Sequence, residues 1–302
     1  MTAANIREAR QSDKQELQSI WKTIFGDSDE EVDSFFKHYF SPRLTIVADC
    51  ADGIKAAGYL LPVGNLACGK FITPCAMIYA VATHPEYRSR GFGAAVVNEL
   101  ISKGYDNGYE AIVLHPSADS LFEYYSSHTE MLDWFYVNEY NFKPPPGHIA
   151  GINLTPATVD EYGQLREHLL ADVPHIAFDD NALSYQSQLC DYSGGGLYMA
   201  EFNGGAACAI IEKQPGKDVL ITELLTSNFN ETDVLSSVAS IFPAAGYFVR
   251  RPAAMSDYGS GMLRFGMLAI SADVAESANS EFRIPNSKLL GTSLPYYGLA
   301  FD

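Results

Sequence analysis

The residues best placed to do chemistry in this chain are Arg88, Arg90, Gly91 and Gly93, in the run Arg88-Ser89-Arg90-Gly91-Phe92-Gly93-Ala94. Glycines let a backbone approach a ligand closely, and the first amides of a helix lack intrahelical partners and carry the positive end of its dipole. Two arginines beside such amides add planar forks suited to phosphate oxygens. The chemistry predicted is the capture of phosphate. It needs a strand to deliver the turn and a helix to receive it, and both are written on either side. Ile78 to Thr83 is an apolar, β-branched run that predicts a buried strand. His84-Pro85 breaks it, and from Ala94 to Lys103 the spacing is helical, with Ala94, Val97 and Ile101 on one face.

Two common phosphate motifs are excluded. No third glycine follows in register for a dinucleotide fingerprint, and no Gly-Lys-Ser/Thr follows for a P-loop. The hexapeptide Arg88 to Gly93 instead resembles the acyl-CoA-binding motif of the GNAT N-acetyltransferase superfamily, Arg/Gln-x-x-Gly-x-Gly/Ala. Its lead-in, Val81-Ala-Thr-His-Pro-Glu-Tyr-Arg88, resembles that family's as well. The resemblance implies an α/β (α+β) fold and acetyl-CoA as cosubstrate. The diphosphate would lie on the amides of residues 90–94, and the backbone of Val81 and Thr83 would pair with the pantetheine arm. The implied cofactor-binding set is therefore Val81, Ala82, Thr83, Arg88, Ser89, Arg90, Gly91, Phe92, Gly93 and Ala94.

In such a reaction an amine attacks the thioester directly. The protein must take a proton from the ammonium, polarise the carbonyl and protonate the departing thiolate. An amide around Ala82 is the candidate for the carbonyl. For the thiolate, the resemblance points to a tyrosine on the helix after the next strand. Tyr125 is the better match and Tyr124 the next, although the Gly-Phe that usually follows is replaced by Ser126-Ser-His-Thr-Glu-Met131. No carboxylate lies between Ala76 and Ala82, where many relatives carry a glutamate base. His84, Tyr79 and His115 are left as candidates.

Ahead of the strand, Ile6 onward reads as a strand and then a helix with Ser12 or Asp13 as its cap and Leu17, Ile20, Trp21 and Ile24 facing inward. Ser28 and Glu31 have capping-box spacing before a second helix. A hairpin turns at Asp52-Gly53, and residues 66–76 are expected to add an edge to the same sheet. Gly104 and Asn107-Gly108 are expected to stop the helix, Ala111 to His115 to form a parallel neighbour strand, Pro116 to Ser120 to cap the tyrosine helix, and Trp134 to Val137 to close the lobe.

Lys143-Pro-Pro-Pro-Gly147 reads as a linker. Beyond it the order of elements repeats: a strand and helix from Gly151 to Leu170, a hairpin from Leu197 to Ile211, a strand from Val219 to Thr226, a helix from Val234 to Phe242 and a strand from Tyr247 to Arg251. The second copy has Ser227-Asn-Phe-Asn-Glu-Thr-Asp233 in place of the glycine turn. The expectation is two GNAT-like lobes, 1–145 with the acetyl-CoA site and 146–302 degenerate, each a mixed central sheet flanked by helices, followed by a last strand near Phe265–Ile270. The second lobe is expected to wall one side of the acceptor site.

The 302 residues carry a formal net charge of −17, with 47% hydrophobic residues. That field opposes nucleic acid and acidic membrane surfaces as partners and suits a cationic small-molecule amine. Five scattered cysteines without metal-ligand spacing, and no apolar run or leader long enough for a membrane or export, read as a cytoplasmic protein with reduced thiols and no metal. The leading expectation is an N-acetyltransferase acting on a primary amine. The alternative is a catalytically inactive acyl-CoA-binding or regulatory protein, and an aminoacyl-tRNA-dependent transferase is disfavoured by charge. Neither the acceptor nor the oligomeric state is written in a motif.

Overall fold

The computed structural model describes residues 4–145, 151–202, 204–214, 218–227, 231–255, 261–272, 274 and 294–301. The chain divides into two compact units, one of Met1–Val63, Thr73–Asp133 and Gly266–Asn279, the other of Gly64–Ile72, Trp134–Phe265 and Ser280–Asp302. Each is an α/β unit with a mixed sheet and helices packed on it.

The first unit opens with β1 (Asn5–Glu8), then α1 (Lys14–Phe25) and α2 (Asp29–His38). Asp13 is the N-cap residue of α1, but its side chain does not cap that helix. Its carboxylate accepts instead from the Arg10 amide at 2.7 Å and from Arg7 at 2.7 Å. The α2 cap follows the sequence reading, because Ser28 and Glu31 form a reciprocal capping box. A hairpin of β2 (Thr45–Cys50) and β3 (Gly53–Cys68) turns into β4 (Phe71–Thr83). Residues 66–76 are thus no separate edge: they end β3, turn at Gly69, and begin the strand that reaches the glycine turn.

Next come α3 (Phe92–Asp106), β5 (Ala111–Leu114), α4 (Asp119–His128) and β6 (Leu132–Phe142), which is longer than the expected closing strand. Gly104 does not stop α3. It lies inside the helix, where a Cβ would stand 2.3 Å from Cδ1 of Ile112, so glycine lets α3 lie close on β5. The N-cap of α4 is Ala118, with no side-chain cap bond, and Asp119 and Ser120 of the expected capping segment lie inside the helix. Strand order in this unit is β1-β2-β3-β4-β5-β13, where β13 is Met262–Ile270 and returns antiparallel to β5. The core beneath α3 gathers Leu60, Ile78, Val96, Val97, Leu100, Ile112, Leu114 and Tyr125.

The second unit contains β7 (Thr155–Pro156), α5 (Val159–Leu169), β8 (His175–Phe178), α6 (Asp180–Ser193), β9 (Gly196–Phe202), β10 (Gly205–Lys213), β11 (Asp218–Thr226), α7 (Glu231–Ile241) and β12 (Gly246–Pro252). Its strand order is β6-β12-β11-β10-β9-β7, with β8 paired to Gly64–Ala67 of β3. The β9–β10 and β10–β11 pairs are antiparallel and β11–β12 is parallel, which is the order the sequence repeat calls for. A buried ion pair fixes this unit: Arg166 Nε donates to Glu223 at 2.9 and 3.2 Å, and the Tyr162 hydroxyl donates to the same carboxylate at 2.7 Å. Gly298, at φ +86°, completes the packing, because a Cβ there would sit 2.6 Å from Arg166 Nη2.

Lys143 to Pro145 follow β6 without regular structure. The remainder of the expected linker, Pro146 and Gly147, lies outside the described residues, as do positions 228–230 of the second-copy turn. Among the described residues, no helix is long and apolar enough to cross a membrane.

Candidate active site

The site is built where β4 leaves β5. The parallel pairing of the two strands runs from Cys75↔Ala111 to Ile78↔Leu114 and ends there. Two residues later Ala80 takes φ +48°, a left-handed conformation that an alanine adopts only at a cost of about 1–2 kcal/mol. The kink turns β4 away from its neighbour. Val81, Ala82 and Thr83 continue the strand with no β5 residue opposite them, which leaves β5-side pairing positions for an extended ligand among the described residues.

The turn follows directly. Ser89 (φ 59°) and Gly91 (φ 83°) are both left-handed, and Gly91 is the N-cap of α3. A Cβ placed on Gly91 would meet nothing within 4 Å, so the glycine is required by its backbone angle and the space over it is clear. The first amide bonded inside the helix is that of Ala95, to the Gly91 carbonyl at 3.0 Å. The amides of Phe92 and Gly93 therefore have no helical partner, and that of Ala94 donates to the Tyr124 hydroxyl at 3.1 Å. Arg88 is exposed and its Nε donates to the Thr83 carbonyl at 3.3 Å, tying the turn back to the end of β4.

Arg90 reaches back to the Glu86 carbonyl at 3.0 Å and lies 4.6 Å over the Tyr87 ring, which also carries Lys55 at 4.8 Å. The Tyr87 hydroxyl donates to Asp52 at 2.7 Å, which anchors the lead-in to the β2–β3 hairpin and raises its own pKa. Neither Lys55 nor the kink at Ala80 was among the sequence candidates. Lys55 lies in a distant hairpin, and nothing about an alanine announces a positive φ.

The two adjacent tyrosines part company. Tyr125 turns into the core under α3, only 6% exposed, where burial pushes its hydroxyl up to about 12. Tyr124 is half-buried and reaches the start of α3. Its ring stacks on His128 at 4.7 Å, and its hydroxyl is 3.6 Å from a Cβ built on Gly93. Of the base candidates, His84 donates its amide to the Lys55 carbonyl at 2.8 Å, while its Nδ1 is buried without a hydrogen bond among the described residues. Tyr79 packs on Trp21 and Phe35 at ring distances of 5.7 and 5.8 Å, and His115 is half-buried just past β5.

A strand that breaks its pairing, a left-handed glycine turn and a helix start with unpaired amides have the donors to take a long ligand with phosphates at one end. In comparison with known families, a model of the acetyltransferase (GNAT) domain matches residues 5–128. The likeness to the GNAT acetyltransferase domain thus covers residues 5–128. The matched span holds β4, the turn, α3 and both tyrosines.

Among solved structures, the GNAT fold extends over most of the chain. A GCN5-related N-acetyltransferase from Anabaena variabilis is 15% identical with a TM-score of 0.67, over 88% of this chain and 72% of that one. A conserved protein of unknown function from Enterococcus faecalis, described as a probable N-acyltransferase, is 13% identical with a TM-score of 0.66, over 89% and 73%. Eis1 from Mycobacterium abscessus is 11% identical with a TM-score of 0.61, over 88% and 73%. At these identities the likeness is one of fold. Comparison with curated protein sequences returns no significant match.

The second unit repeats the order of elements, with no glycine pair in the sequence before its corresponding helix. At the start of α7, where the first unit leaves amides unpaired, Glu231 supplies a carboxylate that bonds Tyr140 and Arg251.

Proposed function

We propose that this chain transfers an acetyl group from acetyl-CoA to the primary amine of a small molecule, with residues 1–145 holding the donor and 146–302 acting as a GNAT-like lobe without a phosphate turn. The observation that carries this reading is the start of α3, whose Phe92 and Gly93 amides are unpaired under clear space at Gly91. That geometry fits a diphosphate, and the β5 side of Val81 to Thr83 fits a pantetheine arm.

When bound, acetyl-CoA supplies a thioester already activated toward amine attack. The turn amides and Arg88 hold its anionic end, and the backbone of Val81 and Thr83 orients the arm. The Ala82 amide polarises the carbonyl. His84 Nδ1, without a hydrogen bond among the described residues, takes a proton from the acceptor ammonium, with Tyr79 and His115 as the alternative candidates.

Tyr125 donates to the departing thiolate. A hydroxyl with a pKa of about 12 is protonated at every working pH, which is the state a donor needs. Delivering that proton to a thiolate of ordinary pKa, about 8.5, is uphill by roughly 5 kcal/mol. A turnover near 10 per second tolerates a barrier of about 16 kcal/mol, so the step is affordable.

The test is a calorimetric titration with acetyl-CoA of the wild type and of Arg88→Ala and Gly91→Glu variants, followed by turnover on a panel of amines. Binding at micromolar level, weakened tenfold or more in the variants, with turnover on at least one amine, is the expected result. Wild-type protein that does not bind acetyl-CoA sinks the reading. Binding without turnover on any amine would favour a non-catalytic acyl-CoA-binding protein.

A further inference from the structure

We infer that Tyr124 is a diphosphate-binding residue, whereas its neighbour Tyr125 turns into the core. The inference rests on the acetyl-CoA reading above.

The argument starts from the hydrogen-bond inventory of a phenol. A tyrosine hydroxyl has one proton to give and lone pairs to accept with. At Tyr124 the oxygen accepts the Ala94 amide at 3.1 Å, so that amide is no longer available to a ligand. In exchange, the hydroxyl presents its own proton. Among the described residues, no acceptor takes it. The amide bond also constrains direction, since the O–H cannot point back along the N–H that donates to it.

The surroundings of this hydroxyl are those of the turn. It lies 3.6 Å from a Cβ built on Gly93, and the Thr83 hydroxyl lies 3.5 Å from the same point. The Phe92 and Gly93 amides, unpaired in the helix, belong to the same first turn as Ala94. Two hydroxyls, of Tyr124 and Thr83, thus lie beside the second glycine of the motif, on the helix turn whose Phe92 and Gly93 amides lack helical partners. Such a set is matched by a group with several acceptor oxygens and negative charge, and a diphosphate is that group. Any side chain at Gly93 would enter this space.

The ring is held so that the hydroxyl stays in place. It stacks on the His128 imidazole at 4.7 Å and 30°, His128 Nδ1 contacts the Tyr124 carbonyl oxygen at 2.8 Å, and Asn98 of α3 donates to the His128 carbonyl at 3.0 Å. Together these contacts tie the last turn of α4 to α3. The Ala94 amide bond ties Tyr124 Oη to the helix start.

A hydrogen bond to a charged acceptor contributes roughly tenfold or more in affinity. The experiment measures dissociation constants of wild type and Tyr124→Phe for two probes, CoA by calorimetry and S-acetylpantetheine, which lacks the phosphates, by ligand-observed NMR. Phenylalanine keeps the ring stack on His128, and a thermal melt within a few degrees of wild type verifies the fold. The expected result is CoA binding weakened about tenfold and S-acetylpantetheine binding unchanged. Equal CoA affinity in the two proteins would overturn the assignment while leaving the acetyl-CoA reading intact. An equal loss on both probes would overturn it too, since the hydroxyl would then serve the arm or the thioester. Wild-type protein that binds no CoA would end both readings together.

Discussion

Replacing Arg166 with methionine should cost the second unit about 3–5 kcal/mol, the range for removing one partner of a buried ion pair. Arg166 and Glu223 are both fully buried. Arg166 donates to Glu223 through Nε at 2.9 and 3.2 Å and to the Ile176 carbonyl through Nη1 at 2.8 Å, and its guanidinium lies 4.9 Å from the centre of the Phe178 ring. With Arg166 gone, Glu223 keeps the Tyr162 hydroxyl at 2.7 Å and loses its counter-charge, and the Ile176 carbonyl loses a donor. The two tryptophans make the assay specific, because Trp21 belongs to the first unit and Trp134 to the second. In a Trp21→Phe background, Trp134 fluorescence follows unfolding of the second unit in urea. At a slope of about 2 kcal/mol/M, the Arg166→Met midpoint should fall by roughly 2 M. The double variant Arg166→Met, Glu223→Leu should recover to within about 1 kcal/mol of the parent, because the uncompensated charge is gone. A single variant that loses under 1 kcal/mol, or a double variant as unstable as the single, would refute the claim that the pair's cost comes from stranding a buried carboxylate.

Two further outcomes test the first unit. Gly104→Ala gains about 1 kcal/mol of helix propensity but sets a methyl 2.3 Å from Ile112 Cδ1, a clash costing about 1–3 kcal/mol. Chemical denaturation should therefore show Gly104→Ala, Ile112→Val to be more stable than Gly104→Ala alone, whereas simple additivity of the two losses would contradict the packing argument. Tyr125 titrates near 12 in the folded state against about 10 unfolded. Between those values the folded chain retains the proton that the unfolded chain loses. Its contribution is thus complete below pH 10 and falls away as pH rises toward 12, by up to about 2.7 kcal/mol. Urea unfolding at pH 8, 10 and 11 should show a steeper decline for wild type than for Tyr125→Phe, with the other buried tyrosines cancelling in the difference. Parallel curves would place the hydroxyl in solvent.

Much of the candidate site was legible because it is local. Strand, proline break, glycine turn and helix follow one another in sequence, and each rests on a backbone rule that neighbouring residues satisfy: Pro85 ends the ladder, Gly91 takes the positive φ, and Ala94, Val97 and Ile101 mark one helix face. The capping box of Ser28 and Glu31 was readable for the same reason. Gly104 was misread as a stop because its requirement comes from Ile112 on another element, and the β13–β5 pairing left no mark in either strand.

The division between Tyr124 and Tyr125 shows where pattern runs out. Adjacent helical residues differ by about 100° in direction, and which one meets the core depends on how α4 sits against α3. Sequence by itself determined the motif, its strand-turn-helix setting and the order of elements in both halves, since these follow from local φ/ψ preferences and hydrophobic periodicity. Only the tertiary structure decided that β4 breaks from β5 at Ala80, that Tyr124 meets the Ala94 amide, and that Arg166 finds Glu223. Those are contacts between distant segments, fixed by burial and charge compensation after the chain has packed.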